Sequence, residues 1–414
     1  MKTRFALLPA AILLCAVPVS AEAHAEIPQT PLFEASFLQS WYCRGWTPEQ
    51  WHDELSAMRE AGFRSVILQS TVDLSYEYTD TSKPKTDASA YDLTACSALY
   101  PDASVPGSES EHALADALQA AQETGMQVYI GTVSDSRWWS YGWGVPDAYF
   151  TAWTEENAAY SANVIRNTWA LYGEQYGDQI AGFYYNNEIW NIDAACAGTD
   201  GGAYAALLGA NIRASVDAIS ALCPEKPLLI SPFYNADLSS AEAYGAFLSD
   251  IAKAANLRAY DIIAPQDGGG RDYSPDRIAE WSDAVQNALG NRVRYWINNE
   301  TFNADSSAKP MDTLRQNFIA TAGAERHILF SWNHYYHGTL DVEFDAFSAK
   351  LSGDVNFDGL RDADDVTALH RWLMHDRIAV QNWIAADFDA DDTLTAADLT
   401  LLKRSLLANL ENRS

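Results

Sequence analysis

The sequence predicts an α/β protein: a (β/α)8 TIM barrel followed by a small all-α domain. Two observations carry this reading. Between residues 36 and 335, eight short β-rich runs alternate with seven amphipathic helical stretches. Near the C-terminus one acidic twelve-residue loop is written twice, and each copy runs into an apolar helical pattern.

The first residues hold Lys2 and Arg4, an apolar run from Ala6 to Val19, and small residues at Ala21, Ala23 and Ala25. That layout predicts a secretory signal peptide over residues 1–25. The barrel is expected over 26–345. Its strands are predicted at Ser36–Tyr42, Ser65–Val72, Gln127–Val133, Ile180–Glu188, Pro227–Asn235, Ile262–Asp267, Val293–Thr301 and His327–Tyr335. The helices between them are Pro48–Ala61, Glu111–Gly125, Thr154–Tyr176, Tyr204–Leu222, Ala241–Ala255, Asp276–Ala288 and Met311–Ala322. Thr47 before Pro48 is a helix start, a capping hydroxyl followed by proline at the first helical position. Gly62 and Gly125 are helix stops. An open doubly wound sheet is the alternative, but no glycine-rich phosphate turn follows the first strand. Gly268, Gly269 and Gly270 come after a late strand, lack dinucleotide spacing, and read as a loop. Asp73–Ser110, rich in Ser, Thr, Asp and Pro, reads as an insertion after the second strand, on the face where barrel enzymes place their sites.

Strand four ends Tyr184-Tyr185-Asn186-Asn187-Glu188, and strand seven ends Ile297-Asn298-Asn299-Glu300. Each sets a glutamate at the C-terminal edge of the barrel. Cleavage of a glycosidic bond with retention needs two carboxyls roughly 5–5.5 Å apart, one protonated and one ionised. A bland reading, a structural salt bridge or loop cap, suits one such glutamate better than a pair. The arrangement resembles the clan A glycoside hydrolases, which carry an acid/base and a nucleophile at these two strand ends. The resemblance implies that Glu188 is the acid/base, Glu300 the nucleophile, Asn187 a ligand of the sugar 2-hydroxyl, and Trp332 a floor of the cleavage subsite. Trp138 and Trp139, with Tyr141 and Trp143 in the same loop, offer rings for stacking on sugars. Tyr234 and Gln266, near the ends of strands five and six, complete the candidate substrate contacts. The chain departs from the clan at strand six, where Gln266 and Asp267 occupy the region of the expected His or Tyr. It also resembles an uncharacterised bacterial barrel family grouped with glycosidases on fold alone. Asp73 and Asp135 are spare carboxylates. His334 and His337 suggest a metal pair without a third ligand at helpful spacing. Catalysis is expected to need no cofactor. A non-catalytic carbohydrate-binding barrel is the competing reading; an esterase lacks its G-x-S-x-G turn.

The repeated loops are DVNFDGLRDADD, Asp354 to Asp365, and DFDADDTLTAAD, Asp387 to Asp398. Oxygen donors fall at loop positions 1, 3, 5 and 12: Asp354, Asn356, Asp358 and Asp365, then Asp387, Asp389, Asp391 and Asp398. Leu360 and Thr393 offer backbone carbonyls at position 7, and Asp362 stands at position 9 of the first loop. This is the spacing a hard cation requires of a chain folding around it, so two Ca2+ sites are predicted. Val366, Leu369, Trp372 and Leu373 follow the first loop, and Leu399, Leu402 and Leu406 the second. Aspartate at position 12, and a repeat offset of 33 residues, closely resemble a dockerin module. The resemblance implies a cohesin domain of a scaffoldin as partner and a cellulosome-like complex that degrades plant polysaccharide. It places cohesin contacts at Ala363, Asp364, Ala396 and Ala397, then His370, Arg371, Lys403 and Arg404. The module is expected over 346–414.

A formal charge of −29 argues against nucleic acid and acidic membranes as partners, and 48% hydrophobic residues supply a core. A secreted, extracellular, cellulosome-associated protein is expected, with no membrane contact after signal cleavage. Four cysteines would remain: Cys43, Cys96, Cys196 and Cys223. They allow three pairings, with Cys43–Cys96 favoured because both should share one face of the barrel; buried thiols are the alternative.

Overall fold

The computed structural model describes residues 32–84, 87–101, 112–141, 148–192, 201–321, 323–351, 353–356, 361–376, 379–389 and 393–411. The expected signal peptide, Trp143, Cys196, Asp358, Leu360 and Asp391 lie outside the described residues. Among those described there are eleven strands: β1 (Ala35–Leu38), β2 (Ser65–Leu68), β3 (Val72–Tyr78), β4 (Tyr91–Ala98), β5 (Gln127–Gly131), β6 (Val133–Asp135), β7 (Ile180–Tyr185), β8 (Leu228–Ile230), β9 (Ile262–Ile263), β10 (Arg294–Glu300) and β11 (Arg326–Phe330). Eight of them close a parallel barrel in the order β1-β2-β5-β7-β8-β9-β10-β11, with Ala35 of β1 beside Ile328 of β11. All eight fall where the sequence places them. Each is shorter than expected, because its C-terminal residues leave the ladder to form the mouth.

Side-chain alternation divides the core in two. Phe37, Ile67, Tyr129, Tyr184, Leu229, Ile262, Trp296 and Ile328 fill the barrel interior. Their strand neighbours, such as Leu38, Val66, Leu68 and Ile297, pack outward against the helices. Both faces are therefore buried, and strands such as Ser65-Val66-Ile67-Leu68 are buried at every position. The helix Pro48–Glu60 starts on a reciprocal cap, with Thr47 Oγ1 accepting from Gln50 N and Gln50 Oε1 accepting from Thr47 N. The helix Ala113–Thr124 stops at Gly125, whose φ of 71° is a left-handed turn.

Three features depart from the sequence reading. Within the expected insertion, β3 and β4 form an antiparallel hairpin, and β6 adds to β3 in parallel. This makes a three-stranded sheet on the rim, with one register irregularity between Ser75 and Tyr76. The helix Asp341–Leu351 is an eighth barrel helix: its Phe344 and Phe347 lie in the outer core. It spans the boundary expected at residue 345. The helix Gly202–Leu222 is long and apolar enough to cross a membrane by composition, but half of it is buried, with Tyr204, Leu208, Ile212 and Ile219 in the outer core.

The C-terminal domain has its own core. Val355, Leu369, Phe388, Leu394, Leu399 and Leu402 join the helices Ala363–Leu373 and Ala396–Glu411, with a one-turn helix Trp383–Ala386 between them. Leu399, Leu402 and Leu369 come from the leucine pattern that predicted these helices.

Candidate active site

At the C-terminal mouth of the barrel lies a pocket of about 360 Å³ that holds both predicted glutamates. Glu300 is the last residue of β10. Trp296, Asn298 and Glu300 alternate onto the inner face: Trp296 closes the interior, while Asn298 and Glu300 line the pocket. Asn299 points the other way, donating to Asp267 Oδ2 (2.9 Å). His327 is fully buried, its pKa pushed down to about 3 by desolvation, so its neutral ring donates from Nδ1 to Asn299 Oδ1 (2.7 Å). The backbone after β9 reaches Glu300 directly, since Gly270 N donates to Glu300 Oε2 (2.8 Å). A Cβ on Gly270 would lie 2.8 Å from Glu300 Oε1 and 2.6 Å from the Phe302 ring, so only glycine fits this approach.

Glu188 lies just beyond β7. Gln266 Nε2 donates to Glu188 Oε1 (2.6 Å), and Gln266 also bridges to Asn298 on β10. Gln266 thus ties the two glutamate-bearing strands together. Asn187 is buried, lines the pocket, and donates to Asn157 Oδ1 (2.8 Å). Asn157 Oδ1 also accepts from Asn211 Nδ2 (3.2 Å), and Asn211 Oδ1 accepts from Tyr185 (2.7 Å). This chain of bonds fixes the orientation of Asn187.

The electrostatics follow from burial. The Glu300 pKa is pushed up to about 8, first by desolvation, then by the neighbouring Asp267 charge and, more weakly, by Glu188. Gly270 N and the Lys309 ammonium offset part of this. The Glu188 pKa is also raised by desolvation, against the hydrogen bond from Gln266. Asp267 is raised by burial too, although Asn299, Gly269 N (2.7 Å) and Glu300 N (3.2 Å) all donate to it. The two glutamates therefore sit within each other's field and share a tendency to keep a proton.

Trp41 and Trp139 line the pocket with 66% and 59% of their surface exposed, so both rings are open to a ligand. Trp138 lines it as well but is buried, packed on Trp153 at 5.3 Å. The sequence reading missed Trp41, Phe302 and Phe330. Trp41 falls inside the expected first strand, but β1 stops at Leu38 and a one-turn helix, Ser40–Cys43, turns the ring outward.

Three sequence expectations are corrected. Trp332 does not floor the pocket. After β11, Ser331 caps a one-turn helix and strand alternation ends; Trp332 is buried against Phe63, Phe344 and His337, the last stacked at 4.4 Å. Tyr234 stands behind the wall: its ring stacks on Trp281 at 4.2 Å and its hydroxyl donates to the Asp267 carbonyl (2.8 Å). Cys43 is not bridged to Cys96; it is a buried thiol whose Sγ lies 3.4 Å from the Gln39 carbonyl. Asp362 caps the helix Ala363–Leu373, with Oδ1 accepting from Asp364 N (2.8 Å). Of the spare groups, Asp135 is held by Arg137 (2.7 Å) and Trp153 Nε1 (3.1 Å). His337 lies between Asp341 (3.3 Å) and Glu54 (3.8 Å).

In the C-terminal domain, Asp365 and Asp398 each tie a loop to the start of its helix. Asp365 Oδ1 accepts from Val355 N (2.6 Å) and Asn356 N (3.2 Å), and Oδ2 from Asp362 N (2.8 Å). Asp398 repeats the pattern with Phe388 N (2.7 Å), Asp389 N (3.3 Å) and Thr395 N (2.7 Å). Carboxylate oxygens of Asp387, Asp389 and Asp398 converge within 4.8 Å, and Asp387 and Asp398 are fully buried. Three such carboxylates at one point fit a hard divalent cation.

The fold resembles solved glycosidase structures. A proposed alpha-L-fucosidase of Bacteroides thetaiotaomicron superposes with a TM-score of 0.55 at 17% identity, covering 80% of this chain and 96% of that one. A beta-galactosidase of the psychrophilic Marinomonas ef1 (TM-score 0.47, 12% identity, 80% and 61% covered) and a beta-mannanase of the blue mussel Mytilus edulis (0.43, 13%, 77% and 92%) superpose more loosely. At these identities the likeness is one of fold. The sequence matches no curated protein. Residues 352–407 match the dockerin type I domain, so the C-terminal domain is a dockerin. Residues 34–339, the barrel, match the family described as a domain of unknown function, DUF4434, and the chain belongs to that family.

Proposed function

We propose that the protein is a secreted, cellulosomal glycoside hydrolase that cleaves plant polysaccharide or oligosaccharide with retention. The observation that supports this most is Glu188 and Glu300 in one pocket, from the fourth and seventh barrel strands, beside two exposed tryptophans. Glu188 passes its proton to the glycosidic oxygen as that bond breaks. Glu300 attacks the anomeric carbon and forms a glycosyl ester. Glu188 then takes a proton from water, which attacks the same carbon and frees Glu300. Gln266 occupies Glu188 Oε1, which leaves the other oxygen to carry the proton. The reactive form is the singly protonated pair with its proton on Glu188. The dockerin binds a cohesin domain of a scaffoldin. Asp354, Asn356, Asp358, Leu360, Asp362 and Asp365 would hold one Ca2+, and Asp387, Asp389, Asp391, Thr393 and Asp398 the other; bound calcium would supply the charge that lets these loops close.

The test is hydrolysis of a panel of plant polysaccharides by wild type, Glu188→Gln and Glu300→Gln. Each substitution is expected to lower turnover by about 10²–10⁴-fold or more. Equal rates in all three proteins rule out the assignment. A second reading, a non-catalytic carbohydrate-binding barrel, is favoured by one observation: burial and Asp267 push Glu300 up to about 8, so a neutral Glu300 would serve as a hydrogen-bond donor. That reading expects sugar affinity without turnover.

A further inference from the structure

The wall of the pocket across from Gln266 is built differently from the glutamate side. In barrel order β2 lies opposite β9, and the residues following β1 and β2 bring Ser40, Ser70 and Asp73 to the pocket. Asp73 is held from three directions. Ser70 Oγ donates to Oδ1 (2.7 Å), while Ser40 Oγ (2.8 Å) and the Arg44 guanidinium (2.5 Å) donate to Oδ2. The two hydroxyls lie 3.0 Å apart and both serines are buried, whereas the Asp73 side chain keeps 24% of its surface exposed. A carboxylate fixed this firmly presents its remaining lone pairs to the pocket without needing to reorganise.

The charges of the lining point the same way. Asp73, Asp135, Glu188 and Glu300 line the pocket, and no Lys, Arg or His is among the described residues that do so. The nearby cations are already engaged: Arg44 on Asp73, Arg137 on Asp135 and Glu156, and Lys309 on the Gly269 carbonyl. A bound uronate or sulfate would meet like charge, with no pairing cation among the described lining residues, a cost of desolvation and repulsion together.

We propose that Asp73 is the sugar-selecting residue of this pocket, accepting hydroxyls of a neutral glycan unit and turning away uronic acids and other anionic sugars. The proposal rests on the pocket being the glycan site, as the proposed function has it. It names the substrate class as neutral polysaccharide and sets Asp73 and Gln266 at opposite ends of the bound sugar. Asp73 also screens Arg44: a neutral side chain at position 73 would leave that guanidinium's charge uncompensated beside the pocket.

Binding to the full chain tests this without relying on turnover. Calorimetry would use matched oligosaccharides, neutral (xylan-, mannan- and glucan-type) and uronic (oligogalacturonate), against wild type and Asp73→Asn. Wild type is expected to bind a neutral ligand and to prefer it to the uronic one by about tenfold or more. Asp73→Asn is expected to lose about tenfold on the neutral ligand and to gain on the uronic one. Uronic ligands binding wild type as tightly as neutral ones would overturn the proposal, and the wild-type comparison needs no variant to fold. So would Asp73→Asn with unchanged preference and an unchanged melting temperature. Selective binding with no hydrolysis of any glycan would sink the hydrolase reading and leave this one standing; hydrolysis of uronic and neutral glycans alike would do the reverse.

Discussion

Buried carboxylates gather in two places in this chain, and the two places handle them in opposite ways. At the barrel mouth Glu300 lies in the field of both Asp267 and Glu188, and burial raises the pKa of all three. Their repulsion is relieved by protons. In the dockerin Asp387, Asp389 and Asp398 converge within 4.8 Å, and a network of loop N–H groups holds Asp398 in place. There the cluster fits a cation. Clustered acids at a mouth that exchanges protons suit acid–base chemistry; clustered acids inside a closed loop suit a structural ion. The same residue type is read differently according to what the backbone around it donates.

The contrast is sharpest in chelation, which carries the largest expected effect. Removing divalent cations should unfold the dockerin, with loss of helical signal from residues 351–410 and of cohesin binding, while hydrolysis by the barrel persists. Calorimetry in the presence of a chelator should show one transition lost and one kept. Loss of the barrel transition instead would break the comparison.

Next in size is the pH dependence of the barrel. Glu300 has a folded-state pKa near 8, above the usual glutamate range, so the stability it contributes is full at acid pH and is lost as pH rises toward 8. Glu300→Gln removes that loss. The variant should gain on wild type in melting temperature at pH 8 by several degrees more than at pH 5. Asp267→Asn should lower the Glu300 pKa, because it removes a repelling charge, and move the acid limb of the activity profile to lower pH. An unmoved limb would mean that Asp267 does not act on Glu300.

The smallest effect separates two tryptophans. Trp41 is open to the pocket, and Trp41→Ala should raise KM by about fivefold to tenfold with the melting temperature little changed. Trp332→Ala should do the opposite, costing about 3 kcal/mol or more of barrel stability, because the ring is buried among Phe63, Phe344 and His337.

These two residues also show how far the sequence could be read. Strand positions were legible because parallel strands covered on both faces are apolar throughout, and Glu300 and Glu188 followed from counting them. The calcium loops were legible because ligand spacing is written directly in sequence. What failed was the first turn beyond each strand. Trp332 and Trp41 both follow a strand end by a few residues, yet one-turn helices rotate them to opposite fates, and strand alternation says nothing about a residue already in a helix. Tyr234 failed because its hydroxyl finds a backbone carbonyl that only the fold brings near. The rim sheet had a signal in Val72, Leu74, Tyr76 and Tyr78, whose period of two runs through polar neighbours, but the Ser-rich composition around it masked the pattern.

The eighth barrel helix ends at Leu351, and the first calcium loop opens at Asp354. Two residues of chain separate them, a leash of about 7–10 Å at full extension. A link that short bounds how far apart the end of the helix and the start of the loop can lie. Where the dockerin docks, the mouth is delivered as well, and the spacing of neighbouring enzymes on a shared scaffold would then be set by the scaffold rather than by tethers of their own.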